Sequence, residues 1–225
     1  LYSSAASDVY KRQGGQPFSA ENLKETRRLC AAHGVPIVLD GSLLCENAYM
    51  IRERENGYAR RSVAEIVREL TKLADIFYMS GRKNTSVRGG LLATNNEEYF
   101  LALRDWLPVY EGFLTYGGMS TKEVEAMAVG MREMTDPDVA GSAVEQIKYF
   151  VKLLVDYGIP VVTPPGALAA HLDAKLILPH IPQEEYPAGA LTAAVYLVSG
   201  VRSMERGTIS MDRDEAGREV LSDLE

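Results

Sequence analysis

The chain has 225 residues, 46% hydrophobic and 24% charged, the make-up of an ordinary globular protein with enough apolar mass for a core. Its formal net charge of −7 argues against a nucleic-acid or anionic-membrane surface, because nothing offsets repulsion from phosphate groups. Cys30 and Cys45 show no CxxC or secretory spacing, no apolar run reaches the roughly 20 residues of a membrane helix, and the N-terminus lacks the order of a signal peptide; a cytoplasmic home is the expectation.

Residues 1–13, LYSSAASDVYKRQ, are small and polar without a helical or strand period, and they are set aside as an adapter-like or disordered tail. From Ser19 to His33 the positions Leu23, Leu29 and Cys30 recur at roughly helical spacing, with Ser19 able to cap the start and Gly34 suited to the left-handed close. Val35 to Leu39 is then a short apolar run ending in Asp40, which reads as a buried parallel strand with a carboxylate at its C-terminal end. The order repeats: Ser62 with Glu65 forms a capping box for a helix through Leu73, and Asp75 to Met79 follows as a second strand. After a loop from Ser80 to Arg88, Gly89-Gly90 leads into a third strand, Leu91 to Thr94. Alternation of this kind predicts an α/β fold with a mostly parallel sheet covered by helices.

Farther along, Ser120 with Glu123 and Ser142 with Glu145 read as two more capping boxes, opening helices to about Met134 and Tyr157. Gly141 suggests a domain boundary, giving 14–140 as one unit and 141–225 as the start of a smaller α+β one. The chain stops at LSDLE just after the charged turn MDRDEAGRE (211–219), where an apolar strand would be expected, so it reads as cut at both ends.

In parallel α/β sheets ligands sit at the carboxyl ends of strands, which singles out Asp40 and Ser80-Gly81-Arg82-Lys83. A carboxylate at one strand end and an amine just past another suit a cofactor that needs an anion beside a ring nitrogen and a lysine to bind it covalently, as pyridoxal phosphate does. On pattern alone, a strand-terminal Asp is more often a turn former and a loop Lys merely solvated. His33, His171 and His180 are too scattered for a metal cluster.

The stretches GGQP (14–17), LDGSLLCENAY (39–49), MSGRKN (79–84), VYEGFLTYGG (109–118), EAMAVGMRE (125–133), LPHIPQEEYPA (178–188) and GVRSMERG (200–207) resemble, in order and spacing, the β-eliminating lyases of the tyrosine phenol-lyase and tryptophanase type. The resemblance implies the pyridoxal-phosphate fold shared with aspartate aminotransferase (fold type I): the back half of the large domain, then the start of the small one. It implies that Lys83 binds pyridoxal 5′-phosphate and moves the α-proton, that Asp40 keeps the pyridine nitrogen protonated, and that Ser80 donates to the phosphate. Arg82 stands where the family usually carries a lysine. Arg206 matches an arginine near a phenolic leaving group, with Met204 alongside, while Tyr116 matches a tyrosine near the cleft. The implied reaction is β-elimination of an aromatic L-amino acid, tyrosine or tryptophan, to pyruvate, ammonia and phenol or indole. A homo-oligomer, a dimer of dimers, is the implied assembly.

Three positions depart from the family pattern. Leu43 replaces the arginine of D-x-x-R that meets the cofactor's ring hydroxyl. Gly166-Ala167-Leu168-Ala169 lacks the histidine of Gly-Gly-His-Ala, although His171 lies close by. The loop from Lys83 to Gly89 is one residue shorter than the family's, which counts against the backbone site for an activating potassium ion (K+). These leave two rival readings: a pyridoxal-phosphate lyase for a small side chain, such as a cysteine desulfhydrase or a threonine-aldolase-like enzyme, and a non-catalytic relative. Groups the family uses for the phosphate loop and the substrate carboxylate have no match between Gly14 and Glu225, so the 225-residue chain alone is expected to be inactive.

Overall fold

The computed structural model describes residues 15–205 and 216–217, so the 1–13 tail and most of the 211–219 turn lie outside the described residues. Two compact units emerge, Gln16–Gln146 and a second formed by Gly15 with the residues from Ile147 onward.

The first unit opens with α1 (Ala20–Ala32), where the Ser19 hydroxyl accepts from the Asn22 N–H and Gly34 takes a φ of 64° just past the end, as the sequence predicts. Strand β1 is shorter than expected, Val38–Asp40. Only its central Leu39 is buried, whereas Val38 is half exposed, so the continuous apolar run is not a strand buried on both faces. Helix α2 (Leu44–Arg54) follows, then α3 (Val63–Thr71), whose capping box between Ser62 and Glu65 is formed in both directions. Val63, Ile66 and Leu70 are fully buried on one side of α3, the i, i+3, i+7 spacing of a helix with a single core face. They meet Cys45, Ala48 and Ile51 of α2 in one cluster; burying each such aliphatic side chain contributes about 1.5–3 kcal/mol.

Strand β2 (Ile76–Ser80) pairs parallel with β1, and β3 (Gly90–Thr94) pairs antiparallel with β2, giving the order β1-β2-β3. The register sets Leu39 opposite Phe77 and Asp40 opposite Tyr78. Because side chains alternate across a strand, Leu39, Phe77 and Met79 turn to one face, where they join the core with Leu91 of β3, while Asp40, Tyr78 and Ser80 turn to the other. Asn47 on α2 ties in the incoming chain: its carboxamide accepts from the Phe18 N–H at 2.9 Å and donates to the Phe18 carbonyl at 3.0 Å.

Between β2 and β3 the expected loop contains a helical turn, α4 (Gly81–Asn84). Beyond β3 come α5 (Glu97–Arg104), α6 (Leu107–Tyr110) and α7 (Thr121–Glu133), the last with the predicted capping box of Ser120 and Glu123. The predicted box at Ser142 is absent. Instead α8 runs unbroken from Pro137 to Asp156, started by Pro137 at its first position and by the Asp136 carboxylate, which accepts from the Asp138 N–H at 2.8 Å. Ser142 lies inside the helix and bonds Gln146 one turn on.

The second unit holds the C-terminal part of α8, a single antiparallel bridge between Val161 and Leu172, α9 (Ala174–Ile177), and α10 (Pro187–Ser199) closed by Gly200 at a φ of 72°.

A charged network fastens α1 to α3. Glu69 accepts from Lys24 and the Tyr58 hydroxyl, each at 2.8 Å, and from Arg61. Partial burial pushes the Glu69 carboxyl up, but these three donors outweigh it and bring the value from 4.5 to about 2. A depressed carboxyl stabilises the fold above its unfolded value, and that contribution fades as pH falls through the folded one. Glu69→Gln is therefore expected to cost about 1 kcal/mol at pH 7, as solvent-screened networks do, with the gap between variant and parent closing from about pH 5 toward pH 2; urea midpoints at pH 7, 4 and 2.5 check this. Asn47→Ala, which removes both bonds to Phe18, should cost about 1–3 kcal/mol in the same measurement.

Candidate active site

A pair of strand ends organises the site. In Asp40-Gly41-Ser42 the half-buried Asp40 carboxylate accepts from the Ser42 N–H at 2.9 Å, an Asx-turn that stops β1 and bends the chain into α2. The Gly41 N–H donates to the Tyr78 carbonyl at 2.7 Å, which continues the ladder one residue past Asp40. Gly41 must lack a side chain, since a Cβ there would lie 2.0 Å from the Phe77 ring. The buried Ser42 hydroxyl accepts from the Ser80 N–H at 3.1 Å and so reaches the end of β2.

Five influences set the Asp40 carboxyl. Burial pushes it up, but the Ser42 hydroxyl and N–H, the Tyr78 hydroxyl and the positive charge of Lys83 together outweigh burial and hold it below its ordinary range. Asp40 is thus ionised at neutral pH. Its own linkage has the same sign as that of Glu69: stability present above the unfolded value, lost on acidification.

Lys83 lies on α4, immediately past β2, and is exposed together with Arg82. The turn beneath it is fixed from below. Gly81 N–H donates to the Gly89 carbonyl at 2.8 Å, Thr85 N–H returns to the Gly81 carbonyl at 2.9 Å, and the buried Thr85 hydroxyl donates to that same carbonyl at 2.7 Å. Helix α7 packs directly against it: a Cβ on Gly130 would stand 2.6 Å from the Thr85 Cβ, and one on Gly81 2.7 Å from the Met127 methyl.

Asp40, Ser80 and Lys83 are therefore brought to one end of the β1–β2 pair. Tyr116 lies in the turn after α6, 47% exposed and tilted against Phe113 at 5.9 Å. Met204 belongs to the second unit and is exposed, and Arg206 lies outside the described residues. Leu43 is buried and offers no polar atom to a ring hydroxyl. Among the described residues no group of three His, Cys, Asp or Glu side chains could hold a metal. Cys45 is buried in the core, and burial pushes its thiol up to about 12, so it is inert as a nucleophile.

Sequence reasoning passed over Ser42, Tyr78, Thr85 and Gly130. The D-G-S spacing is a recognisable Asx-turn signal that could have found Ser42. Tyr78, Thr85 and Gly130 depend on strand register and on helix packing, which leave no local signal.

The donor set fits a cofactor with a basic ring nitrogen, an aldehyde and a phosphate: an ionised carboxylate, a primary amine whose charge acts on it, and a strand-end hydroxyl. Such a set lies at the C-terminal ends of parallel strands, where α/β folds bind their ligands. The model of the beta-eliminating lyase family matches residues 9–225, and the chain belongs to that family. It is 45% identical over 202 residues to a tyrosine phenol-lyase of Fusobacterium nucleatum, covering 89% of this chain and 44% of the relative. A tryptophanase of Salinibacter ruber is 41% identical over 213 residues, with 94% and 45% covered. The chain thus spans somewhat under half the length of the curated relatives it matches. In fold it is similar to the crystal structure of a candidate L-allo-threonine aldolase from Listeria monocytogenes EGD-E, at a TM-score of 0.55 and 17% identity over 89% of this chain and 49% of that one.

Gly130→Ala forces its new methyl into Thr85 side chain and backbone at 2.6–2.8 Å. The expected cost is about 1–3 kcal/mol in urea unfolding, with amide shifts of the 81–89 turn moving in a nitrogen–proton correlation spectrum.

Proposed function

We propose that this chain carries the cofactor-binding core of a pyridoxal-5′-phosphate enzyme that β-eliminates an aromatic L-amino acid to pyruvate, ammonia and phenol or indole. The observation behind this reading is the ionised Asp40 at the end of β1, acted on by the charge of Lys83 from the end of β2. Lys83 Nζ would hold the cofactor aldehyde, Asp40 the protonated ring nitrogen, and the Ser80 hydroxyl the phosphate, with Arg82 beside it. When bound, pyridoxal phosphate supplies an electron sink for the pair left at the substrate's α-carbon.

The rest falls to the protein. Asp40 keeps a proton on the ring nitrogen because its own carboxyl is held ionised. Lys83 Nζ takes the α-proton as general base, from a turn whose position is locked by Thr85 and Gly130. The resemblance assigns Arg206, Met204 and Tyr116 to substrate binding, and an arginine in that role favours a phenolic leaving group over indole. With Leu43 in place of arginine, the ring hydroxyl receives no charge from that position. Potassium activation is not part of the reading. No helix among the described residues is long and apolar enough to cross a membrane; as part of the proposal, the whole protein is cytoplasmic and acts on its aromatic amino acid as a homotetramer.

Incubation with pyridoxal phosphate, hydride reduction and peptide mass spectrometry should find the cofactor mass on Lys83, with a visible absorption band that Lys83→Ala abolishes. Cofactor on other lysines alone, or an unchanged spectrum in the variant, defeats the reading. In a protein of the relatives' full length carrying this chain, Asp40→Asn should lower pyruvate release from L-tyrosine on the order of 100-fold. Equal or faster release from S-methylcysteine would move the substrate to a small side chain.

A further inference from the structure

We infer that Ser42 is a positioning residue: its buried hydroxyl clamps the end of β1 to the end of β2, holding the Asp40 carboxylate and the Ser80–Lys83 turn in fixed relation. This deepens the proposed pyridoxal-phosphate reading and rests on it.

The geometry is a two-point bridge. Ser42 N–H donates to Asp40 Oδ1 at 2.9 Å, and Ser42 Oγ accepts from the Ser80 N–H at 3.1 Å. The Ser42 side chain is also the largest of the influences that lower the Asp40 carboxyl against its burial. One side chain thus connects the anion meant for the ring nitrogen with the residue that begins the lysine-bearing turn. Ser42 is only 6% exposed, so water does not readily replace it, and a hydrogen bond to a charged acceptor is worth more than a neutral one.

The placement follows from the strands. Beyond Asp40 and Tyr78, which face each other in register, β1 ends while β2 continues to Ser80. The backbone ladder persists through Gly41 N–H to the Tyr78 carbonyl and then has no further strand on the β1 side. The Ser80 N–H would lie at that gap, and the Ser42 hydroxyl supplies the acceptor β1 no longer offers. Besides Ser42, the Tyr78 hydroxyl from β2 and the Lys83 ammonium from α4 also act on Asp40, and both remain when Ser42 is replaced. A merely structural serine would affect stability alone; a clamp also affects the Asp40 titration and the Ser80 amide.

The test uses the 225-residue chain without cofactor first, labelled at aspartate carboxyl carbons and backbone amides, as wild type, Ser42→Ala, Ser42→Cys and Ser42→Thr. Ser42→Cys keeps the size but loses the strong donor, and serves should the alanine variant unfold. The Asp40 titration midpoint should move upward and the Ser80 amide resonance should shift in Ser42→Ala or Ser42→Cys, with both restored in Ser42→Thr. Pyridoxal phosphate, titrated by absorbance, should bind about tenfold more weakly to the variants without the hydroxyl and normally to Ser42→Thr. An Asp40 midpoint unmoved by loss of the hydroxyl, or affinity unchanged while the midpoint moves, overturns the inference. If the wild-type chain captures no cofactor while the midpoint and the Ser80 amide still respond, the cofactor reading fails and the clamp stands.

Discussion

The parallel pairing of β1 with β2 is the constraint on which the rest of the first unit depends. Its register puts Leu39, Phe77 and Met79 on the face that meets α2 and α3, and leaves Asp40, Tyr78 and Ser80 on the other. A slip of one residue would exchange these faces, burying a carboxylate without its donors and exposing the apolar set. The hydrophobic effect that fixes the register therefore also aims the polar groups. Core and site are selected by one choice of alignment.

Charge in this site is managed by geometry more than by number of groups. Asp40 would rise if burial acted alone, yet two hydroxyls, one backbone N–H and one ammonium reverse the sign. None of these partners is close in sequence except Ser42. The lysine that completes the set is exposed, but the turn it stands on is held by the hydrogen bonds of Gly81 and Thr85, with Gly130 permitting α7 to approach Thr85 at backbone distance. An accessible amine on a rigid base is what a covalently bound cofactor requires. Membership in the beta-eliminating lyase family is consistent with that arrangement.

What the sequence by itself determined is whatever depends on neighbours in the chain. Capping boxes at Ser62 and Ser120, the Ser19 cap and Gly34 are interactions within a few residues, and they form as read. The same locality explains the error at Ser142: its pattern is a sound cap in isolation, but Asp136 and Pro137 start the helix earlier and the later signal is overridden. Asp40 and Lys83 were legible as strand-end residues, and the quoted stretches identified the family they serve. Only the tertiary structure decided that Asp40 stays ionised, that Tyr78 acts on it, that Ser42 reaches Ser80, that β1 is three residues long and half exposed, and that Lys83 rides on a helical turn. The decisive contacts, Asp40 beside Tyr78, Ser42 to Ser80 and Gly130 against Thr85, join residues some 35 to 50 positions apart, brought together by strand alignment and helix packing, and contacts at that separation leave no period or spacing in the chain from which they could be read.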